Sequence, residues 1–306
     1  MKKVYSMIAL ASIALTGPSM AKPLDLSQVA DDANWLMHVD FDSARKSKIG
    51  SFIMDKIDGN SEAADRMDEL QETFGVNPEG FSSLTMFGTG EIEKGIAIMT
   101  GGMDLEKLVE FAQLNENLQT TQKGKFAIHS LNEGRHSMAF TTMKGNVIIG
   151  GSDADDVAHG IKLVKGKADS RAPIGLLGEL REIIPNPGVI GYVDVAKAAK
   201  FHDLDKGVAA MVEKAHSAGM VMGEADGELK MAVILKTAGD DTAKQLEEMV
   251  NGALAMAELS MESNPKLANI WESQKVERAG NVLTVQIGLS IRAIKKGIEK
   301  EMDKNI

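Results

Sequence analysis

Cysteine is absent from all 306 residues. That excludes disulfides, thiolate metal sites, a cysteine nucleophile and a lipid-modified cysteine behind an export leader. Aromatic residues make up only 4% of the chain, so aliphatic side chains and the 19 methionines must fill the core. Methionine suits that task because its unbranched thioether adapts to irregular gaps. There is no His-Glu-x-x-His helix, no Gly-x-Ser-x-Gly elbow and no P-loop. Basic runs interleaved with aromatics are also missing, and a net charge of −10 repels phosphate backbones. Nucleic acid is therefore not an expected partner. Beyond Thr16 no uncharged stretch reaches the roughly 20 apolar residues a spanning helix needs.

What is present begins with an export signal at 1–21. Lys2 and Lys3 supply a positive start, and Val4 to Thr16 is an uncharged apolar run too short to span a bilayer. Gly17 and Pro18 break any helix there, and Ser19 and Ala21 put small residues at the positions a signal peptidase reads. Cleavage before Lys22 is the expectation, which makes the mature chain periplasmic or secreted. Losing Lys2 and Lys3 leaves 32 basic against 44 acidic side chains, so the net charge moves from −10 to −12. Acidity of that size mainly favours solubility.

The most informative pattern is internal similarity. Residues 34–42 and 188–195 both read as short apolar strands ending in aspartate (Asp40, Asp194), each followed by an Ala/Lys-rich stretch. A hairpin follows in each half, the second turning at Asp226-Gly227, a two-residue turn signal. A helix opening at Asp104 or Asp240–Asp241 comes next. Each half then closes with a hairpin turning at Gly145-Asn146-Val147 or Gly280-Asn281-Val282 and a last helix near 153–165 or 290–302. The predicted fold class is α+β, in two similar halves, each an antiparallel sheet with helices packed on one face. The first repeat spans 22–165, a connector with a short helix spans 166–187, and the second repeat spans 188–306. The first half carries an added hairpin arm at 118–131.

The strand Leu36-Met37-His38-Val39-Asp40-Phe41-Asp42, followed by Ser47 and Ile49-Gly50, resembles the opening of uncharacterised secreted bacterial proteins. Such proteins carry a signal peptide and then an apolar strand ending in aspartate. The resemblance implies export and an α+β unit, and it brings no activity with it.

Candidate sites are few. Along the first strand, Trp35, Met37, Val39 and Phe41 share an apolar face opposite Leu36, His38, Asp40 and Asp42. His38, Asp40 and Asp42 could form a metal half-site or a general-base pair. The bland alternative is that Asp40 caps the following helix. A second group is Asp153, Asp155, Asp156 and His159, where a helix would bring Asp155 and Asp156 onto the face of His159. Its alternative is helix-start chemistry, with Ser152 as the cap and the acids at the positive end of the dipole. His129 and His136 flank a turn and read as exposed loop histidines. Gly88-Thr89-Gly90 and Gly101-Gly102 lack the spacing of phosphate cradles and fit strand ends. The paired methionines Met99 and Met103, Met220 and Met222, and Met256 and Met261 read as core filler rather than a copper site.

No cofactor is expected from these motifs. The sequence therefore reads as an exported, non-catalytic binding or interaction module of the cell envelope, taking an envelope protein or a small ligand. A metal-dependent hydrolase using the Asp/His groups is one alternative. A carrier of an apolar ligand, held between the halves, is the other. N-terminal sequencing of the mature protein should begin at Lys22; membrane-bound material retaining Met1 would overturn the export reading.

Overall fold

The computed structural model describes residues 22–90, 95–133, 136–197, 214–262 and 270–302; the export signal expected at 1–21 lies outside them. The chain divides into two compact units, Met1–Pro173 and Ile174–Ile306, and the fold is α+β with antiparallel strands. Among the described residues no helix is long and apolar enough to cross a membrane.

The first unit runs β1 (Trp35–Asp40), α1 (Phe41–Lys46), α2 (Lys48–Asp58), α3 (Ser61–Phe74), β2 (Val76–Gly88), β3 (Ile96–Met103) and α4 (Leu105–Gln113). It continues with β4 (Gln119–Lys123), β5 (Phe126–Glu133), β6 (His136–Met143), β7 (Val147–Gly151) and α5 (Ala154–Val164). Its seven strands stand in the order β1-β2-β3-β7-β6-β5-β4. Helix α5 buries Val157, Ile161 and Leu163, and Gly160 lets it approach Ile149 and Ile96 of the sheet, because a Cβ there would stand 2.6 Å from one of their methyls. The segment before β1 is held down by Leu24, Val29, Ala30 and Ala33, all buried.

Alternation along β1 follows the expected period of two, but the mixed face is the buried one. Leu36, His38 and Asp40 are buried, whereas Trp35, Met37 and Val39 are half-exposed. Burying these polar groups is tolerable because each has partners. Asp40 caps α1, its carboxylate accepting from the Ser43 amide and hydroxyl, both at 2.9 Å. Ser47 ends α1 and caps α2, accepting from the Gly50 amide at 2.9 Å. Only glycine fits at 50, since a Cβ would lie 2.1 Å from the Ala44 carbonyl oxygen. Between these caps Arg45 and Asp42 form a buried ion pair at 2.6 Å. Arg45 also donates to the carbonyls of Glu79 and Phe81, where β2 departs from regular pairing with β3.

The second unit runs α6 (Gly175–Ile183), β8 (Val189–Asp194), β9 (Ala215–Ala225), β10 (Glu228–Thr237), α7 (Asp240–Glu262), β11 (Trp271–Ala279), β12 (Val282–Ser290) and α8 (Ile291–Met302). Its strands stand in the order β11-β12-β10-β9-β8. The β9–β10 turn falls at Asp226 (φ 54°) and Gly227 (φ 83°), the two positive φ values that a type I′ turn requires. Asp194 ends β8 as expected, but there it pairs with Lys197 at 3.1 Å, and residues 198–213 are not among those described.

Helices cover both faces of the strands of this unit, where one covered face was expected. Leu246 and Val250 of α7 pack with Leu235 and Leu283 on one side. On the other, α6 lies over β9: a Cβ at Gly219 would meet Leu176 and Leu180. Ala218, which points opposite to Gly219, packs against the α7 cluster. The apolar residues of α6 were legible, but which face they cover is decided by long-range packing.

The core is aliphatic rather than methionine-filled. The largest fully buried side chains are Phe87 with isoleucines, leucines and valines, and Met54 is buried. Of the paired methionines, Met99, Met103 and Met222 are half-buried, Met220 and Met256 are exposed, and nothing is described for the Met261 side chain.

Replacing Arg45 with methionine keeps most of its volume but strands the Asp42 carboxylate, which is 1% exposed. Removing one partner of a buried pair costs about 3–5 kcal/mol. Urea unfolding should show that loss in Arg45→Met, and a change within error would place the pair outside the stabilising core.

Candidate functional site

Each member of the first sequence-predicted group has a structural partner. His38 is buried, with Nδ1 at 2.8 Å from the Thr85 hydroxyl and Nε2 at 2.9 Å from the Lys22 carbonyl. A carbonyl can only accept, so Nε2 carries the proton, and in the neutral ring Nδ1 accepts from Thr85. Asp40 is engaged as a cap and Asp42 by Arg45. Burial pushes the Arg45 guanidinium below its ordinary pKa, and Asp42 acts against that shift.

The second group does helix-start work, with one change of role. Asp153, not Ser152, caps α5, accepting from the amides of Asp155 (2.8 Å) and Asp156 (2.9 Å). Asp156 reaches back to the Ser152 amide at 3.1 Å, which closes a reciprocal capping arrangement. The carboxylate wins because it also neutralises the positive end of the helix dipole. Asp155 is exposed, and it and half-buried His159 border a cleft. Among the described residues no three His, Asp or Glu side chains gather closely enough to hold a metal ion.

His129 is not a loop residue. It lies within β5, is 5% exposed, meets the Thr120 hydroxyl at 3.0 Å and stacks against Phe140 with ring centroids 5.1 Å apart. Strand pairing runs up to the turn, as far as Glu133 and His136, so the histidine became interior. Residues 134–135 and the side chain of His136 are not among those described. The two glycine groups are strand ends, as expected: Gly88 closes β2, and the Gly101 amide bonds to the Asn146 carbonyl at 2.9 Å.

The arrangement with chemical potential is one that no motif announced. A cleft of about 930 Å³ opens in the first unit between the β4–β5 hairpin, α5 and the strand of chain after α5. The hairpin contributes Lys123, Lys125 and Phe126; α5 contributes Ala158, Ile161 and Lys162; Lys165, Lys167 and Ala168 follow. Helix α5 ends in a Schellman closure, with the Gly166 amide on Leu163 and the Lys167 amide on Lys162, both at 2.8 Å. This turn sends Lys162, Lys165 and Lys167 toward the hairpin. The Lys165 ammonium sits 3.8 Å from the Phe126 ring centroid and that of Lys125 5.5 Å from it, both within cation–π reach.

Five lysines face three aspartates (Asp31, Asp155, Asp169) around this cleft, a local excess of +2 on a chain of net charge −10. Lys123 pairs with Asp155 at 3.5 Å, both side chains being exposed, which is worth little. Among the described residues, Lys125, Lys162, Lys165 and Lys167 have no carboxylate at ion-pair distance. Lys165 is held below the usual lysine pKa, first by partial loss of hydration and then by repulsion from Lys125 and Lys167. Cations near a helix C-terminus are ordinary dipole chemistry, and that accounts for Lys162 and Lys165. It does not account for Lys125, which arrives from another element.

Comparison with models of known protein families finds no match, and comparison with curated protein sequences finds none. Among solved structures the chain is similar to TP0453. Against crystal form III of that protein the TM-score is 0.49 at 8% identity, covering 90% of this chain and 98% of that one. Against form I it is 0.48 at 9% identity, covering 93% and 99%. Against form IV it is 0.45 at 9% identity, covering 91% and 97%. Likeness at this level carries no chemistry.

Burial holds the His129 imidazole below the ordinary histidine pKa. The unfolded chain takes up that proton near about pH 6.5, and the native state only at lower pH. Below about 6.5 the unfolded state therefore binds more protons, and stability falls as pH drops toward the folded value. Denaturant midpoints between pH 7.5 and 5.5 should fall less in His129→Gln than in the parent; an unchanged slope would remove His129 as the responsible group.

Proposed function

We propose that the protein is an exported, non-catalytic binding module of the cell envelope, whose ligand is a small anion-bearing molecule held in the lysine-rimmed cleft. The observation that carries this reading is the convergence of lysines from two chain segments on one ring, with four of the five lacking a carboxylate partner among the described residues. Like charges held together repel, and an anion between them removes that repulsion. Hydrolysis by the Asp153 group finds less support, because Asp153 and Asp156 are already used to start α5. The export half of the proposal rests on the sequence of 1–21.

We also read 22–165 and 188–306 as two copies of one unit joined by 166–187. Strand order supports this. The strands of the second unit read β8-β9-β10-β12-β11, and those of the first read β1-β2-β3-β7-β6 before adding β5 and β4. Chain order gives β8 the place of β1, β12 the place of β7, and β11 the place of β6. Among the described residues the second unit has no counterpart of the β4–β5 hairpin, the element that brings Lys123, Lys125 and Phe126 to the cleft. Function on this reading sits on the part that the copies do not share.

A ligand that binds only the native state raises its stability by about 2.7 kcal/mol at a hundred times Kd. At constant ionic strength, citrate, sulfate or phosphate in place of chloride should raise Tm by several degrees in the parent and not in Lys125→Gln/Lys165→Gln. Equal melting in all four anions would remove the anion-binding reading.

A further inference from the structure

Resting on the anion-binding reading, we propose that the cleft takes a phosphate monoester carrying an apolar group, with the phosphate among Lys125, Lys162, Lys165 and Lys167 and the apolar group against Phe126. Three features of the lining point to that chemistry.

The first is the kind of cation. Among the described residues that line the cleft, the permanently charged cations are all lysines. Arginine presents a planar fork that matches carboxylate and phosphate alike, whereas lysine is a compact charge with rotatable donors that can close on an anion from several sides. Ammonium groups approaching from a hairpin and from a helix end surround a tetrahedral, doubly charged group better than a flat, singly charged one. Loss of hydration and then repulsion from Lys125 and Lys167 hold the Lys165 pKa down, and a dianion relieves the repulsive part more than a monoanion does.

The second is the floor. Phe126 is half-buried between exposed lysines, and Ala158, Ile161 and Ala168 border the same space. Inorganic phosphate alone would leave that apolar surface wet. A ligand with an apolar portion next to its phosphate covers it, and burial of apolar area adds affinity.

The third is size. A cleft of about 930 Å³ falls in the range of small-molecule sites. The same phosphate chemistry has two sources, a free ester in solution and the headgroup of a lipid, and both leave the lysine positions unchanged.

The experiment is calorimetric titration of the mature chain with phenyl phosphate, inorganic phosphate and benzoate at one ionic strength. A parallel arm measures co-sedimentation with phosphatidylcholine vesicles containing or lacking phosphatidic acid. Phenyl phosphate should bind at least tenfold more tightly than inorganic phosphate or benzoate. Lys165→Gln should weaken phenyl phosphate about tenfold, and Phe126→Leu should remove most of its advantage over inorganic phosphate. Circular dichroism on each variant separates these effects from unfolding. Tight phenyl phosphate binding supports the inference with a free ester as source. Sedimentation with the phosphatidic acid vesicles alone, lost in Lys165→Gln, supports it with a headgroup as source. Benzoate binding as well as phenyl phosphate overturns the phosphate assignment while sparing the anion-binding reading. If none of the three ligands binds and neither vesicle sediments the protein, both fall.

Discussion

The guanidinium of Arg45 reaches the Asp42 carboxylate and two main-chain carbonyls of β2 from inside the first unit. An ion pair buried this far gains little over an apolar pair of the same shape, because taking both charges out of water offsets their attraction. Its consequence is positional. Asp42 lies two residues beyond the Asp40 cap, and Arg45 two residues before the Ser47 cap, so a single turn of helix is fixed at both ends and in its middle. The carbonyls of Glu79 and Phe81 lie where β2 and β3 shift register, and an irregular strand leaves carbonyls that need donors. Arg45 supplies them. A chain without cysteine has no covalent staple for such a junction, and packing with hydrogen bonds must hold it.

From that junction the strands of the first unit extend through β3 and β7 to an edge formed by β4, all five of whose residues are exposed. Long exposed edges invite pairing with other chains, and polar or charged edge residues discourage it. Gln119, Thr120, Thr121, Gln122 and Lys123 fit that requirement. The hairpin that blunts the edge also turns Lys125 and Phe126 toward the end of α5. One element therefore meets two needs, closing a sheet and carrying the cation cluster, and the end of α5 is fixed by its own Schellman turn. The cleft is therefore bordered by a helix end on one side and a hairpin on the other.

What could be read in the sequence was local. The Asp226-Gly227 turn, the Asp40 cap and the closing helices depend on residues within a few positions of one another. Period-two alternation on β1 was equally visible, but which face is buried depends on Thr85, 47 residues away. The same limit explains His129: its loop reading rested on nearby turn residues, while strand pairing with Phe140 decided its burial. The two covered faces of the second unit's strands depend on α6 and α7, which approach from distant parts of the chain. The lysine cluster escaped for the same reason. Lys123-Gly124-Lys125 and Lys162 to Lys167 are each unremarkable basic patches, and only the sheet order brings them together. A weak hint did exist, in that both patches pair lysines around a glycine on an otherwise acidic chain.

The acidic balance of the chain runs against the proposed anion site at long range, but range decides the matter. At physiological ionic strength charges separated by more than about 8 Å are largely screened. A small anion inside the cleft is therefore governed by the lysines around it, whose excess is positive, and hardly at all by the carboxylates elsewhere. A long polyanion extends past the cleft over acidic surface, and each added phosphate there meets repulsion instead of a lysine. On the proposed reading, a basic cleft on an acidic remainder favours small anionic ligands over nucleic acid. Lowering the salt lengthens the screening distance to about 30 Å at 0.01 M, so the distant carboxylates are then felt inside the cleft as well. Affinity for a small anion should consequently rise less on dilution of salt than it would on a neutral protein with the same five lysines.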